Sequence, residues 1–188
     1  MELPFKLENE QERAIAADPE WQKGVVWGKP RTGHLEGAIM YHIADVLANI
    51  ERQCVNCPSP EERRKLRLIA LVHDTFKYKV DESKPKIHSN HHAFIARQFA
   101  ERYIHDPALL EIIELHDEAY NSWRLGAYKG KWKHAEERID LLLKRIEPSL
   151  PLYVRFFHAD SETKSKNPAP VVWFEQDLLR RGYTLPRC

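Results

Sequence analysis

An apolar helical stretch that ends in two adjacent metal-binding side chains constrains this chain most. Residues 68–77 read Leu-Ile-Ala-Leu-Val-His-Asp-Thr-Phe-Lys, so the doublet His73-Asp74 ends the apolar run and Lys77 follows one turn after His73. Because apolar residues are expected in a core, the doublet should lie at the edge of that core. An imidazole and a carboxylate buried there without partners would cost several kcal/mol, and a divalent cation suits both.

Hydrophobic periodicity predicts helices through most of the chain. In residues 34–50, for example, Ile39, Ile43, Val46 and Ile50 recur at helical spacing, and no stretch alternates with the period of two that is typical of strands. Ser59-Pro60 is a typical helix start, with a capping side chain followed by proline. We therefore predict an all-α fold of about seven to nine helices, and the length of 188 residues fits a single domain.

The charge balance and the apolar content exclude several classes of protein. The net charge is +1, from 29 basic and 28 acidic residues, which makes nucleic-acid binding an unfavoured function. No apolar run approaches the roughly 18 residues that span a bilayer, and the first residues lack a signal-peptide pattern. We therefore expect a cytoplasmic protein. Cys54 and Cys57 form a Cys-x-x-Cys without a second pair, so we interpret them as free thiols in a loop rather than as a zinc site.

Other histidines and one aspartate accompany similar apolar helices and could join the doublet at a metal site. His42, His73, Asp74 and Asp160 would make a site for one ion; His92 and His116 would extend it to two ions, with Asp74 bridging. His92 is preferred over its neighbour His91, because Ile95, Ala96 and Phe99 share the helix face of His92. Mixed imidazole and carboxylate ligands suit iron, manganese, zinc or nickel, and magnesium and cobalt also stay open.

The order of these residues resembles that of the HD-domain superfamily of metal-dependent phosphohydrolases, whose core is all-helical. Tyr41-His42 at the start of an apolar helix, the doublet with Lys77, and Ala159-Asp160 after an apolar helix are similar to its motifs. His92 with Ala96 four residues on, and His116 after Ile-Ile-x-Leu, resemble the extra histidines of the dinuclear subgroups. The resemblance covers about residues 34–161. It implies an HD-like core there, with N-terminal helices in residues 1–33 and a C-terminal helix at 170–184 packed on it.

The chain departs from the superfamily pattern at two positions. Asp117-Glu-Ala-Tyr follows His116, where the cyclic-dinucleotide phosphodiesterases of the superfamily have Gly-Tyr-Pro, and Phe76 replaces the glycine that often precedes the lysine. The first departure disfavours cyclic dinucleotides as substrates.

The resemblance implies metal-assisted hydrolysis of a nucleotide or another small phosphoester. Asp74, Lys77 and Asp117 are the expected catalytic residues: Lys77 would offset charge on the phosphate, and Asp117 would orient a ligand or accept a proton. Expected substrate-binding residues are Lys77, Arg97, Arg124 and Lys164, with Lys166 as a further candidate.

Two other functions are compatible with the same residues. One is a non-catalytic or regulatory domain that binds a metal or a nucleotide, and the other is a di-iron oxygenase. Substrate choice is expected to depend on three loops, at 78–90, 117–134 and 161–170. The aromatic residues Tyr120, Trp123 and Tyr128 could either stack on a base or pack in the core. The oligomeric state is not predicted.

Overall fold

The computed structural model describes residues 1–30, 37–54, 59–163 and 166–186, and these residues form helices and no strand. The all-α prediction is thereby confirmed. Three single-turn 3-10 helices cover residues 77–79, 88–90 and 147–149. The α-helices, in chain order, are α1 (Glu10–Ala17), α2 (Pro19–Val25), α3 (Ile39–Cys54), α4 (Pro60–Val72), α5 (His92–Ala100), α6 (Pro107–Leu115), α7 (Glu118–Lys129), α8 (Trp132–Ile146), α9 (Leu150–Ser161) and α10 (Ala169–Arg180).

The described residues thus contain ten α-helices, compared with the seven to nine expected. Asp18 separates α1 from α2: it has extended backbone angles, and its side chain accepts a hydrogen bond from the amide of Glu20 at 2.8 Å. Residues 117–134, expected as a specificity loop, consist largely of α7 and the start of α8. The C-terminal helix ends at Arg180 rather than at residue 184, and Gly182 follows with a positive φ of 87°.

Capping side chains determine the first residues of α4, which precedes the His73-Asp74 doublet, and of α5. Ser59 accepts a hydrogen bond from the amide of Glu62 at 3.1 Å and so caps α4, as its sequence predicts. For α5, the polar residues Ser89 and Asn90 do not cap the helix, because both lie in a 3-10 turn. His91 is the N-cap instead, and its Nδ1 accepts from the amide of Ala93 at 3.3 Å. His92 is therefore the first residue of α5.

The helices pack around one cluster of buried apolar side chains, to which each of the ten contributes. Helix α3 packs on α4 and α9, α5 packs on α6, and α7 packs on α8 and α10. The α7–α8 contact is close at Gly126, where an added Cβ would lie only 2.1 Å from the ring of Trp132. The organisation of the chain as one domain stays a prediction. Within the described ranges, no helix is long and apolar enough to cross a membrane.

The two N-terminal helices pack against α4, and α2 also contacts the turn that contains the His73-Asp74 doublet. The buried indole of Trp21 donates a hydrogen bond to the carbonyl of Leu71 at 2.8 Å. A Cβ at Gly24 would lie 2.0 Å from the carbonyl oxygen of Thr75, so only glycine allows this approach. A buried ion pair between Glu12 and Arg67, with contacts of 2.9 and 3.0 Å, joins α1 to α4.

Candidate metal centre

Five helices bring the predicted metal ligands together. Three of these residues lie within helices, and three follow a helix directly in the turn after its last residue. In the first group, His42 lies in the first turn of α3, His92 starts α5, and Asp160 is in the last turn of α9. The second group, His73, Asp74 and His116, follows α4 and α6. These positions place short polar side chains at the ends of buried apolar helices.

The first half-site consists of His42, His73, Asp160 and Oδ2 of Asp74. His42 Nε2 lies 3.2 Å from His73 Nε2 and 3.0 Å from Asp160 Oδ1. Asp74 Oδ2 lies 3.5 Å from His42 Nε2 and 3.7 Å from His73 Nε2. His73 Nε2 is also 3.7 Å from Asp160 Oδ1. Four potential ligand atoms therefore surround one point.

The second half-site consists of His92, His116, Asp117 and Oδ1 of Asp74. The Nε2 atoms of His92 and His116 are 3.4 Å apart, and they lie 3.2 and 3.4 Å from Asp74 Oδ1. Asp117 adds oxygens 3.3 Å from His92 Nε2 and 3.6 Å from His116 Nε2. The carboxylate of Asp74 is thus shared, with one oxygen in each half-site.

The spacing within each half-site fits the chemistry of a divalent cation. Ligands about 2.1 Å from a tetrahedral metal lie about 3.4 Å from one another. The measured separations are 3.0 to 3.7 Å in the first half-site and 3.2 to 3.6 Å in the second. The donor set of two imidazoles and two carboxylate oxygens per half-site suits zinc, iron, manganese or nickel.

Backbone carbonyls orient one imidazole in each half-site. Nδ1 of His73 lies 3.0 Å from the carbonyl oxygen of Ala70, and Nδ1 of His116 lies 2.9 Å from that of Ile113. A proton on Nδ1 donates to this carbonyl and leaves the lone pair of Nε2 free for a metal. Such a partner for the outer nitrogen is the usual arrangement around metal-binding histidines.

Two lysines compensate the carboxylates of the first half-site. Lys77 forms an ion pair with Asp74 Oδ2, and Lys166 donates to Asp160 Oδ1 at 2.9 Å and to its carbonyl at 2.8 Å. Burial acts to raise the pKa of both carboxyl groups. The lysines, together with nearby histidines, outweigh burial and lower the pKa of Asp74 and of Asp160 well below the ordinary value. Both groups are therefore ionised at neutral pH.

His73 and His116, one from each half-site, differ in protonation. Burial lowers the pKa of His73, so its imidazole is neutral at pH 7. Burial acts in the same direction on His116, but the carboxylates of Asp117 and Asp74 outweigh it and raise the pKa of His116 to about 9. The metal-free protein therefore holds a proton on His116, which a metal must displace.

His91 lies beside the second half-site rather than between its carboxylates. Its ring packs against that of His92 at an interplanar angle of 32°, with centroids 4.6 Å apart, and its Nδ1 caps α5. Burial, followed by the charge of His92, lowers the pKa of His91 to about 4. A ring nitrogen of His91 still lies within 4.8 Å of ligand atoms of His92 and Asp117. The geometry favours His92 as the ligand, and the choice between the two stays a prediction.

Arg97 and Lys164 are two of the residues that were predicted to bind the substrate. Arg97 forms ion pairs with Glu101, Glu111 and Glu114 at 3.2 Å or less, and it does not line the cleft described below. These carboxylates occupy its guanidinium. Lys164 lies outside the described residues, as do Cys57 and the side chain of Cys54.

A cleft of about 990 Å³ opens onto the second half-site, where Lys77, His91, His92 and Asp117 line it. Trp27, residues from the segment 80–88 and residues of α5, α6, α7 and α8 line the remainder. His42, His73 and Asp160 of the first half-site do not line it. A substrate in this cleft would therefore meet the second half-site first.

The positions of two further residues at the centre were not predicted from the sequence. Asp117 was expected as a catalytic or orienting group, and its adjacency to His116 was the available signal for a ligand. Tyr153 had no signal: its buried hydroxyl donates to the carbonyl of Leu115 at 3.1 Å and accepts from the amide of Ala119 at 3.3 Å. It thereby fixes the turn that contains His116 and Asp117.

Comparison with known families agrees with this geometry. A family model described as HD domain matches residues 38–147, which is more than half of the chain. The match includes His42, the doublet, His92 and His116, and it ends before Asp160. Comparison with curated proteins and with solved structures found no significant match. The chain therefore belongs to the HD-domain superfamily, whose members are mostly metal-dependent phosphohydrolases.

Proposed function

We propose that this protein is a phosphohydrolase that acts on a nucleotide or another small phosphoester and uses two divalent cations. The observation that carries the proposal is the pair of half-sites joined by Asp74. Each half-site offers two imidazole nitrogens, one carboxylate of its own and one oxygen of the shared carboxylate. Two metals held side by side can clamp the attacking and the leaving oxygen of a phosphoryl group.

The metals would supply a water of lowered pKa and a positive charge that polarises the phosphoryl oxygen. The protein supplies the remaining functions. Asp74 would hold both ions, one with each carboxylate oxygen. Lys77 lies at the cleft next to Asp74, where its ammonium can offset the charge that develops on the phosphate. His91 is neutral, and because its Nδ1 accepts a hydrogen bond, its Nε2–H remains to donate to a substrate oxygen.

Asp117 is proposed as a ligand of the second ion rather than as a general base. Its carboxylate oxygens lie 3.3 and 3.6 Å from Nε2 of His92 and of His116, compared with 3.2 and 3.4 Å for Asp74 Oδ1. The neighbouring His116 and His92 lower its pKa despite burial, so it is ionised as a metal ligand must be. With Asp117 included, the set grows from the six ligands predicted from the sequence to seven. The cytoplasmic location stays a prediction.

Metal content and turnover, measured together, test this function. The purified protein would be stripped with a chelator and reloaded separately with manganese, iron(II), cobalt, zinc, nickel or magnesium. Phosphate release would then be measured over a panel of nucleotides and phosphoesters. We expect two ions per chain and turnover with at least one metal. Asp74→Asn should lose both, because it removes the shared ligand charge, whereas Asp140→Asn, at an exposed carboxylate on α8, should keep both.

Three outcomes would contradict the proposal in different ways. Two bound ions without turnover on the whole panel would favour a non-catalytic binding domain. Turnover that requires oxygen and an oxidised di-iron form would favour an oxygenase. No bound metal after reloading would refute the metal centre itself.

A further inference from the structure

We propose that Arg124 and Lys129 form a second anion-binding subsite in the cleft, so that the substrate is an extended phosphoester with a second anionic group. The inference rests on the proposed phosphohydrolase function, because it places the scissile phosphate at the second half-site. It adds a recognition element at a distance from the metals.

Helix α7 forms one wall of the cleft and leads away from the metal centre. It starts directly after Asp117, and its cleft-lining residues recur at helical spacing: Glu118, Asn121, Arg124, Leu125, Tyr128 and Lys129. At about 1.5 Å per residue, Arg124 lies about 10 Å and Lys129 about 18 Å along the helix axis from Asp117. The cleft therefore extends well beyond the size of a single phosphate.

Among the described residues, ion pairs neutralise the glutamates that line this cleft, and two lining cations, Arg124 and Lys129, have no carboxylate partner. Glu82 pairs with Lys86 at 2.7 Å, Glu114 pairs with Arg145 at 3.1 Å, and Glu118 pairs with Arg138. Neither Arg124 nor Lys129 has a carboxylate partner in the part of the chain that the structure describes. The guanidinium of Arg124 lies 5.6 Å from the ring of Tyr120, which supports it without neutralising its charge.

The far end of the cleft therefore has an excess of positive charge. A guanidinium and an ammonium that share one side of a groove are well suited to an anionic group such as a phosphate. Because both side chains are long, the anion can lie several Å nearer to or farther from the metals than the helix axis indicates.

Exposed apolar side chains lie in the same cleft. Tyr128, Leu141 and Ile87 are 68%, 63% and 59% exposed, although each is large and apolar. Tyr128 is held edge-on by Trp123, with ring centroids 5.4 Å apart. Such surfaces can cover the sugar or base that joins two anionic groups. The chemistry thus fits nucleoside bisphosphates and similar molecules better than small monophosphates.

A matched pair of ligands tests the subsite: adenosine 5′-monophosphate and adenosine 3′,5′-bisphosphate, which differ by one phosphate. Calorimetry on manganese-loaded protein would give the dissociation constants of both. We expect the wild type to bind the bisphosphate at least roughly tenfold more tightly, as one charge-assisted contact provides. In the double variant Arg124→Gln/Lys129→Gln this ratio should fall to about one.

The matched control is Arg13→Gln/Lys133→Gln, which removes two exposed cations that do not line the cleft and should keep the ratio. Circular dichroism would confirm that all variants fold. A wild-type ratio near one, no binding of either ligand, or an unchanged ratio in Arg124→Gln/Lys129→Gln would overturn the inference. Because binding can be measured without turnover, the two proposals are tested separately. Tighter binding of the bisphosphate without any turnover would support the subsite and contradict the hydrolase. Turnover with equal binding of both ligands would support the hydrolase and contradict the subsite.

Discussion

The two half-sites present the same ligand types in different surroundings. In the first, His42 and His73 are 1% and 0% exposed at their side chains, and Lys166 holds Asp160. In the second, the side chains of His92 and Asp117 are 11% and 28% exposed and line the cleft. If the proposed function holds, we expect the more buried first half-site to retain its ion and the more exposed second half-site to exchange its ion and contact the substrate.

Removing the carboxylate that belongs to one half-site alone should give the largest contrast. Asp160→Asn and Asp117→Asn should each lose one ion per chain, and turnover should fall at least roughly a hundredfold, since both metals act on the phosphate. Stability should separate the two variants. Asp160→Asn leaves the ammonium of Lys166 without its carboxylate and should cost the metal-free protein about 2–3 kcal/mol. The side chain of Asp117 is more exposed, so Asp117→Asn should lower the free energy of unfolding by about 1 kcal/mol or less.

Elemental analysis and urea denaturation of the metal-free proteins measure these effects. Equal losses of stability in Asp160→Asn and Asp117→Asn would show that the half-sites do not differ in the way their burial indicates. Loss of both ions in either variant would show that the sites are not independent.

Lys166→Met should weaken the first ion alone. The ammonium of Lys166 orients Asp160 through two hydrogen bonds, and loss of a group that orients a metal ligand typically costs roughly 10–100-fold in metal affinity. The second ion should bind as before. Competition with a fluorescent chelator measures both affinities, and Lys144→Met, at an exposed lysine of α8, is the control. An equal loss of affinity for both ions would contradict the proposed difference between the two half-sites.

The pH dependence of metal binding should differ between the half-sites. The pKa of His116 is raised to about 9 in the metal-free protein, so below that pH the second ion must displace a proton. Because of His116 alone, the affinity of the second half-site for its ion should therefore fall about tenfold for each pH unit below 9. The pKa of His73 is lowered, so this histidine adds no such dependence at neutral pH. Calorimetry in buffers of different ionisation enthalpy counts the released protons, and equal release for both ions would refute the difference.

Tyr153→Phe should give the smallest effect, confined to the second half-site. Loss of the buried hydroxyl leaves the carbonyl of Leu115 and the amide of Ala119 without this partner, at a cost of about 1–2 kcal/mol. The turn with His116 and Asp117 should loosen, and the second ion should bind a few-fold more weakly. Urea denaturation and the chelator assay measure both, with Tyr183→Phe, outside the centre, as the control. An unchanged second site would assign Tyr153 to the core alone.

The sequence predicted the fold class and the residues that converge, because both depend on local pattern. Helical periodicity indicates the apolar helices, and the polar residues at their ends lie together once those helices pack. The division into two half-sites that share Asp74 was also predicted. Their difference in burial was not predictable, since it depends on α9 packing against α3 and on α5 packing against α6. The partners of Arg97 are similarly non-local: Glu111 and Glu114 come from α6. Helix α7 was not predicted, because Gly126 and the aromatic residues interrupt the helical pattern of its sequence. The close packing of α7 against Trp132 explains why a glycine is present there.

The contact of Trp21 and Gly24 with the doublet turn makes the N-terminal helices part of the same cooperative unit as the metal centre. Undocking α2 would expose the carbonyl of Leu71 and release the backbone of Thr75, which directly follows Asp74. By thermodynamic linkage, ions bound to the doublet stabilise the docked helix as much as the docked helix stabilises the ions. Amide exchange in α2 should therefore report metal occupancy, although the family match begins only at residue 38.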